Sequence, residues 1–340
     1  MRAVVFRAPG ELAIEERPDP VPGPREVVVR VEAVGICGTD LHVLDGEFAP
    51  TVFPIVPGHE TSGVVESVGD AVTEFSPGDL VSVDPTLTCG ECSFCAVGRS
   101  NLCENWNGSG VARTDGSTAE FQLAPVKNVH RLPDGVDLAL AAMIEPLSCA
   151  IRGYDLLPRR LGDHYLIYGA GTMGLMMAQL APRAGAASVT VVDRNPARLE
   201  VAKEVGVEIL AESADDVARR GGWEVVIDCT GAVPAIEDGL RRIRRGGTFQ
   251  QFGVAPVDAK ATFSPFRIYN DEITMVGSMA VLNSYARAVE MFAAGALRAD
   301  RMVSHAFCLD DYAEALDQFR AGRGRKLQIR PQTTRSVELL

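Results

Sequence analysis

The alternation of apolar and polar positions changes character near residue 146. Before it, short β-branched runs at 27–31, 63–68 and 80–83 are cut by turn signals at Pro22-Gly23-Pro24, Gly69-Asp70 and Pro77-Gly78-Asp79, which predicts a compact β-rich domain. After it, Leu166-Ile167-Tyr168 reads as a buried strand, followed by Gly169-Ala170-Gly171-Thr172-Met173-Gly174 and a helical run from Leu175 to Ala181. A second strand, 188–192, ends in Asp193, and further strands are expected at 225–229, 248–252 and 273–276 with helix-like or Gly-rich segments between them. This alternation predicts an α/β unit, a doubly wound parallel sheet with helices on both faces. No internal repeat or low-complexity linker interrupts either half.

The chain has 340 residues, more than one hydrophobic core usually holds, so two domains are expected. With 46% apolar and 23% charged residues it is of globular composition. A net charge of −12 disfavours nucleic acid or an anionic membrane as partner. The N-terminus has no apolar run of signal-peptide length and no stretch approaches the ~20 apolar residues of a spanning helix, so a cytoplasmic location is expected.

Four of the eight cysteines, Cys89, Cys92, Cys95 and Cys103, fall within fifteen residues. Without an export signal that clustering favours metal over cystine, and four thiolates from one lobe can close a tetrahedron around zinc with no open position, the mark of a structural site. A nucleic-acid zinc ribbon would want two separated Cys-x2-Cys knuckles in basic surroundings, which Arg99 alone does not supply.

A second constellation lies earlier, in Gly35-Ile36-Cys37-Gly38-Thr39-Asp40-Leu41-His42 and Gly58-His59-Glu60. Thiolate and imidazole suit a catalytic zinc, which takes three protein ligands and keeps a fourth position for water or substrate. Cys37 and His59 supply two ligands and a third must come from elsewhere. Taken singly, the cysteine would be a small buried hydrophobe and the histidine a core residue; Thr39 and His42, at spacings that suit a proton path, argue against that.

In the glycine turn, Gly169 allows the sharp bend, Gly171 lets a pyrophosphate approach the N–H groups at the helix start occupied by Thr172 and Met173, and Gly174 permits close helix packing. Asp193 would accept from the adenosine-ribose hydroxyls and repel a 2′-phosphate, favouring NAD over NADP, although Arg194 or Arg198 could reach such a phosphate.

Together these motifs resemble the medium-chain dehydrogenases of the zinc alcohol dehydrogenase superfamily, whose signature Gly-x-Cys-Gly-Thr-Asp-x-His followed by Gly-His-Glu is present in full. The resemblance implies a GroES-like catalytic domain over 1–148 carrying the structural-zinc lobe, a Rossmann domain over 149–282, and a return segment over 283–340 with helices around 286–294 and 309–319. The active site is then expected in the cleft between the domains. Glu145, in Ile144-Glu145-Pro146, stands where the polyol, sugar and threonine dehydrogenases place their third catalytic ligand. Glu60 is either a direct ligand or a carboxylate that orients the others, Asp40 accepts from His59, and Cys149 is a buried structural thiol. Two zinc ions are implied, one catalytic and one structural.

The implied activity is NAD-dependent oxidation of a secondary alcohol, most simply a polyol or sugar alcohol. Zinc acidifies the hydroxyl, the proton leaves through Thr39 and a ribose hydroxyl to His42, and hydride passes to the nicotinamide. Met279-Ala280-Val281 replaces the Arg-Tyr pair of sorbitol dehydrogenases, so shorter alditols are as well suited as sorbitol, with a cyclic polyol or a threonine-like substrate as alternatives. A non-catalytic dinucleotide sensor and a zinc-free quinone reductase are the competing classes. Kinship also implies a homo-oligomer, dimer or tetramer, paired through the strand around 273–276. His130, His164 and His305 have no motif around them, and Trp106 either lines the substrate pocket or packs.

Overall fold

The fold was obtained as a computed structural model and is described for residues 1–340. The chain divides into two compact units, one comprising Met1–Ser148, Val281–Gly295 and Val303–Leu340, the other Cys149–Ala280 and Ala296–Met302. The seven residues 296–302 of the return segment thus pack with the second unit.

The first unit begins with a hairpin of β1 (Arg2–Ala8) and β2 (Glu11–Glu16). Then come β3 (Glu26–Gly35), α1 (Gly38–Leu44), β4 (Glu60–Val68) and β5 (Leu80–Val83), the short pair β6 (Thr86–Leu87) and β7 (Asn107–Gly108) enclosing α2 (Ser93–Ala96), and β8 (Phe121–Pro125) and β9 (Val129–Arg131). β3 is the longest strand, and its residues Val27, Val29 and Val31 are fully buried. It pairs antiparallel with β4 and β8, and Gly35 lies opposite Glu60. Val4, Phe6, Val31, Val34 and Ile36 form one core with Tyr312, Leu327 and Ile329 from the end of the chain.

The second unit contains α3 (Ile144–Asp155) from Cys149 onward. It continues with β10 (His164–Tyr168), α4 (Thr172–Leu180), β11 (Ser188–Val192), α5 (Pro196–Glu204), β12 (Ile209–Ala211), β13 (Trp223–Asp228), α6 (Val233–Arg242), β14 (Ile243–Gln251), α7 (Pro265–Asn270) and β15 (Thr274–Gly277). The six strands are all parallel in the order β12-β11-β10-β13-β14-β15. Tyr165, Leu166 and Ile167 of β10 are fully buried, as expected for a central strand covered on both faces. The chain leaves β10 toward β11 and later returns to its other side as β13, so the end of β10 is a topological switch point, where open α/β sheets bind ligands.

The chain finishes with α8 (Tyr285–Ala293), α9 (Ala299–Met302), β16 (Val303–Phe307), α10 (Tyr312–Arg320), β17 (Lys326–Ile329) and β18 (Val337–Glu338). β17 adds to β3 with Gln328 opposite Gly35, so β17, β3 and β4 are neighbours in one eight-stranded sheet. No helix is long and apolar enough to cross a membrane.

Candidate functional site

Two clusters of metal-ligating side chains form in the first unit. In the lobe closed by β6 and β7, donor atoms of Cys89, Cys92, Cys95 and Cys103 all lie within 4.8 Å of one another, and all four thiols are free. Four sulfurs held about 2.3 Å from a tetrahedral zinc would be about 3.8 Å apart, so the lobe has the dimensions of such a site. Backbone N–H groups of Glu91 and Cys92, then the Cys103 thiol, bring Cys89 down to about 6, and N–H groups of Cys95 and Glu104 lower Cys92. Burial and the neighbouring sulfurs push Cys95 up to about 12. Four cysteine sulfurs at this spacing, able to bind as thiolates once a cation sits among them, form a donor set that fits zinc.

The second cluster is Cys37, His59 and Glu60, again with donor atoms within 4.8 Å. Its geometry follows from the β-ladder: Glu60 begins β4 opposite Gly35, and two residues later Cys37 caps α1. The Asp40 carboxylate accepts from the Cys37 N–H at 2.8 Å and sets the first turn of that helix. Its other oxygen lies 3.5 Å from His59 Nδ1, which leaves the second ring nitrogen for a metal. Neither Asp40 Oδ1 nor His59 Nδ1 makes a hydrogen bond, although both are buried. Burial opposes a charged imidazole, but Asp40 and Cys37 outweigh it and hold His59 well above its usual range. A half-buried thiol drawn together with a buried imidazole and two buried carboxylates suits a divalent cation of zinc type.

Around this cluster, Thr39 Oγ1 lies 3.6 Å from Cys37 Sγ. His42, on the same short helix, is half exposed, and its Nδ1 is 2.7 Å from Glu47 Oε2. Glu60 is bound by Lys326, whose buried ammonium is 2.7 Å from Oε1 and 2.5 Å from Oε2. Glu145 is buried in the first turn of α3 but is not among the side chains whose donor atoms converge. Of the two carboxylates expected near the metal, Glu60 is therefore the one whose donor atom joins Cys37 and His59 here. The reason is local, because the ladder puts Glu60 beside Cys37 whereas Glu145 arrives on a separate helix.

In the second unit the glycine turn joins β10 to α4. Gly169 has φ 97°, a left-handed conformation that favours glycine. A Cβ on Gly174 would lie 1.8 Å from the Gly169 carbonyl oxygen, so the helix can approach the turn only without a side chain there. A Cβ on Gly171 would meet nothing within 4 Å, so the backbone there faces open space at the start of α4, a cradle a pyrophosphate would fill. Thr172 and Met173 form the first turn. Asp193 follows β11 and accepts from the N–H groups of Ala170, at 2.7 Å, and Asn195, at 2.8 Å. Arg198 is 3.8 Å from its carboxylate, and Arg194 is exposed.

The second unit also contains the fully buried Asp228, at the end of β13. It accepts from the Thr230 N–H and hydroxyl, the Gly231 N–H and the Gln251 side chain, tying the loops after β13 and β14 together.

Residues 23–134 match the alcohol dehydrogenase GroES-like domain and residues 172–294 the zinc-binding dehydrogenase domain. D-arabinitol dehydrogenase 1 of Uromyces fabae is 33% identical, with 97% of each chain covered. The chain belongs to the zinc-binding alcohol dehydrogenase family. Sorbitol dehydrogenase of Halalkalibacterium halodurans is a further member, 32% identical over 95% of this chain and 96% of its own. Among solved structures, a Sinorhizobium meliloti 1021 protein with NADP bound superposes with a TM-score of 0.92 at 36% identity, covering 97% of this chain and 99% of its own. A short chain alcohol dehydrogenase from E. coli CFT073 complexed with NADH gives 0.89 at 28%, over 97% and 99%. As a member of this family, the protein is a zinc-dependent alcohol oxidoreductase that works with a nicotinamide dinucleotide.

Within that family frame, the histidines without motifs have local partners. His130 stacks on Tyr285, His164 contacts the Ser188 hydroxyl, and His305 stacks on Phe307. Trp106 packs against the first unit's core and meets Phe48 edge-on. Cys149 is half-buried on α3. Sequence reasoning missed Lys326 and Asp228. A charged residue closing or opening an apolar strand was the only signal either left.

Proposed function

We propose that this protein oxidises a secondary alcohol of the alditol class with NAD as acceptor, using zinc held by Cys37, His59 and a carboxylate of Glu145 or Glu60. The observation that carries this is the convergence of half-buried Cys37 with buried His59 and Glu60, with Thr39 next to the sulfur and His42 on the helix that Cys37 caps. When bound, zinc would polarise the substrate oxygen and NAD would take up the hydride.

The chain's own groups handle the proton. Thr39 Oγ1 sits next to the Cys37 sulfur, where it can accept the hydroxyl proton while passing its own onward toward His42. Glu47 engages His42 Nδ1, which fixes the ring and leaves Nε2 as the base that passes the proton to solvent. Asp40 fixes Cys37 through its backbone N–H and places a carboxylate charge 3.5 Å from the His59 ring.

The choice of NAD rests on Asp193, whose carboxylate sits after β11 and would repel a 2′-phosphate. The alditol class rests on relatives named for arabinitol and sorbitol, and Met279 and Ala280 offer no charged grip for a longer chain. Self-association along β15, an edge strand with Met275 exposed, is part of the same reading. The test is dinucleotide reduction on a panel of four- to six-carbon alditols, a cyclic polyol and threonine, with NAD and NADP in parallel. NADH production on a short alditol, lost in Cys37→Ala, is expected. A Cys37→Ala variant that turns over as fast as the parent, or NADP preferred on every substrate, would remove the respective part of the reading.

A further inference from the structure

The Lys326–Glu60 pair has properties that stability does not explain. The side chains are only 3% and 2% exposed, and the ammonium donates to Glu60 Oε1 and to the Ile36 carbonyl, 2.8 Å away, while Oε2, 2.5 Å off, is buried with no hydrogen-bond partner. A Cβ on Gly35 would fall 2.0 Å from Glu60 Oε2 and 2.8 Å from Lys326 Cε, so the strand is kept bare to admit the pair. Every residue of β17 is buried, and an apolar side chain would suit position 326. Replacing a buried ion pair by packed apolar groups is often neutral or stabilising, so fold stability alone does not account for this one.

What the pair faces is the donor cluster. Glu60 offers an oxygen within 4.8 Å of the Cys37 sulfur and a His59 nitrogen, while the same carboxylate is ion-paired with Lys326 and hydrogen-bonded to it through Oε1. We propose that Lys326 is a positioning residue that restrains Glu60 from full coordination and so limits how tightly the Cys37–His59 site grips its metal. This rests on the reading that these two residues hold zinc.

The sign follows from charge. Cys37 and the buried carboxylates of Asp40 and Glu60 bring three acidic side chains together around His59, and the Lys326 ammonium sits against Glu60. Without the ammonium, Glu60 is a buried carboxylate with no counter-charge, and the divalent ion is the nearest available one. Zinc should then be held more tightly. With Lys326 kept and Glu60 neutralised, an unpaired cation sits near the metal and zinc should leave sooner.

The experiment follows zinc released from the full-length, zinc-loaded protein into an excess of chromogenic chelator, as ions per chain against time. Cys37→Ser identifies the phase that belongs to this site, as distinct from the cysteine lobe. In that phase Lys326→Met should slow release about tenfold or more, the range in which groups behind metal ligands act. Glu60→Gln should quicken it, and the double variant should return close to the parent rate. Unchanged or faster release from Lys326→Met, with native circular dichroism and NADH binding, overturns the proposal. Should that variant not fold, Glu60→Gln decides, and unchanged or slower release overturns it. If Cys37→Ser removes no phase, the metal reading itself has failed. A null result for Lys326→Met beside a phase that Cys37→Ser does remove condemns this proposal alone.

Discussion

Gly171 and Gly174 lie three residues apart in one turn, yet alanine should harm them in opposite ways. At 171 the backbone has φ −74° and ψ −177°, which alanine adopts without strain, and the added methyl meets no protein atom within 4 Å. Stability of the cofactor-free protein should change by less than about 0.5 kcal/mol, with the lower entropy of the unfolded chain leaning toward stabilisation. The methyl would occupy the space in which a pyrophosphate meets the helix N–H groups. Losing one charge-assisted hydrogen bond, about 1.5–3 kcal/mol, weakens NADH binding by roughly 10- to 100-fold. At 174 the methyl would be 1.8 Å from the Gly169 oxygen, and a normal carbon–oxygen contact of about 3.3 Å requires α4 to shift by roughly 1.5 Å. That overpacking costs about 1–3 kcal/mol before any cofactor is added. Thermal unfolding without cofactor and fluorescence titration with NADH separate the two effects. A Gly171→Ala protein that binds NADH as tightly as the parent would refute the placement of the cofactor, and a Gly174→Ala protein of unchanged melting temperature would refute the packing argument.

Other consequences are as direct. Cys103→Ser, at the most buried of the four lobe cysteines, should lower zinc content by one ion per chain in elemental analysis while NADH titrates normally. His42→Ala should reduce turnover far less than Cys37→Ala, because His42 is half exposed and water can take over its role; equal losses in steady-state assays would give His42 a different function. Asp238 is pushed up by partial burial but held below its ordinary 3.8 on balance by the Tyr168 hydroxyl and Arg242. A depressed carboxylate contributes stability that is present above its unfolded value and is lost as pH falls through the folded one. Stability of the parent, followed by denaturant unfolding, should therefore decline below about pH 4 more steeply than that of Asp238→Asn, and parallel curves would contradict this.

Much of the site was legible because it is written in short spacings. Cys37, Thr39, Asp40 and His42 share one helical turn and its cap, and the cysteine lobe and the glycine turn are each a single local loop. The change of period near residue 146 marked the start of the α/β unit, and the predicted strands lie where β10, β11, β13, β14 and β15 are found. β14 begins five residues before the predicted strand, since Arg244, Arg245, Gly246 and Gly247 hide its first half from a hydrophobic pattern. Contacts made across the chain were not legible. Lys326 meets Glu60 over 266 residues, and a lysine opening a four-residue strand has no motif to announce it. The hydrogen bond from the Ala170 N–H to the Asp193 carboxylate, which ties the turn after β10 to the end of β11, had no signal in the sequence either.

These long-range contacts are what give the metal site its precision. Cys37, Glu60 and Lys326 follow, begin or open three adjacent strands, with Gly35 opposite Glu60 on one side and Gln328 on the other. Side chains alternate faces along a strand, so a slip of one residue between β3 and β4 would turn Glu60 away from Cys37 and leave Lys326 buried without a partner. The register is specified on both sides by that penalty, since a stranded ammonium in the core is strongly destabilising. The ion pair therefore links two levels of the molecule: it selects the strand pairing that brings the donors together, and it stands beside those donors in the finished site. Only a bare backbone at residue 35 permits both, because any side chain there would collide with the two charged groups that the register is built around.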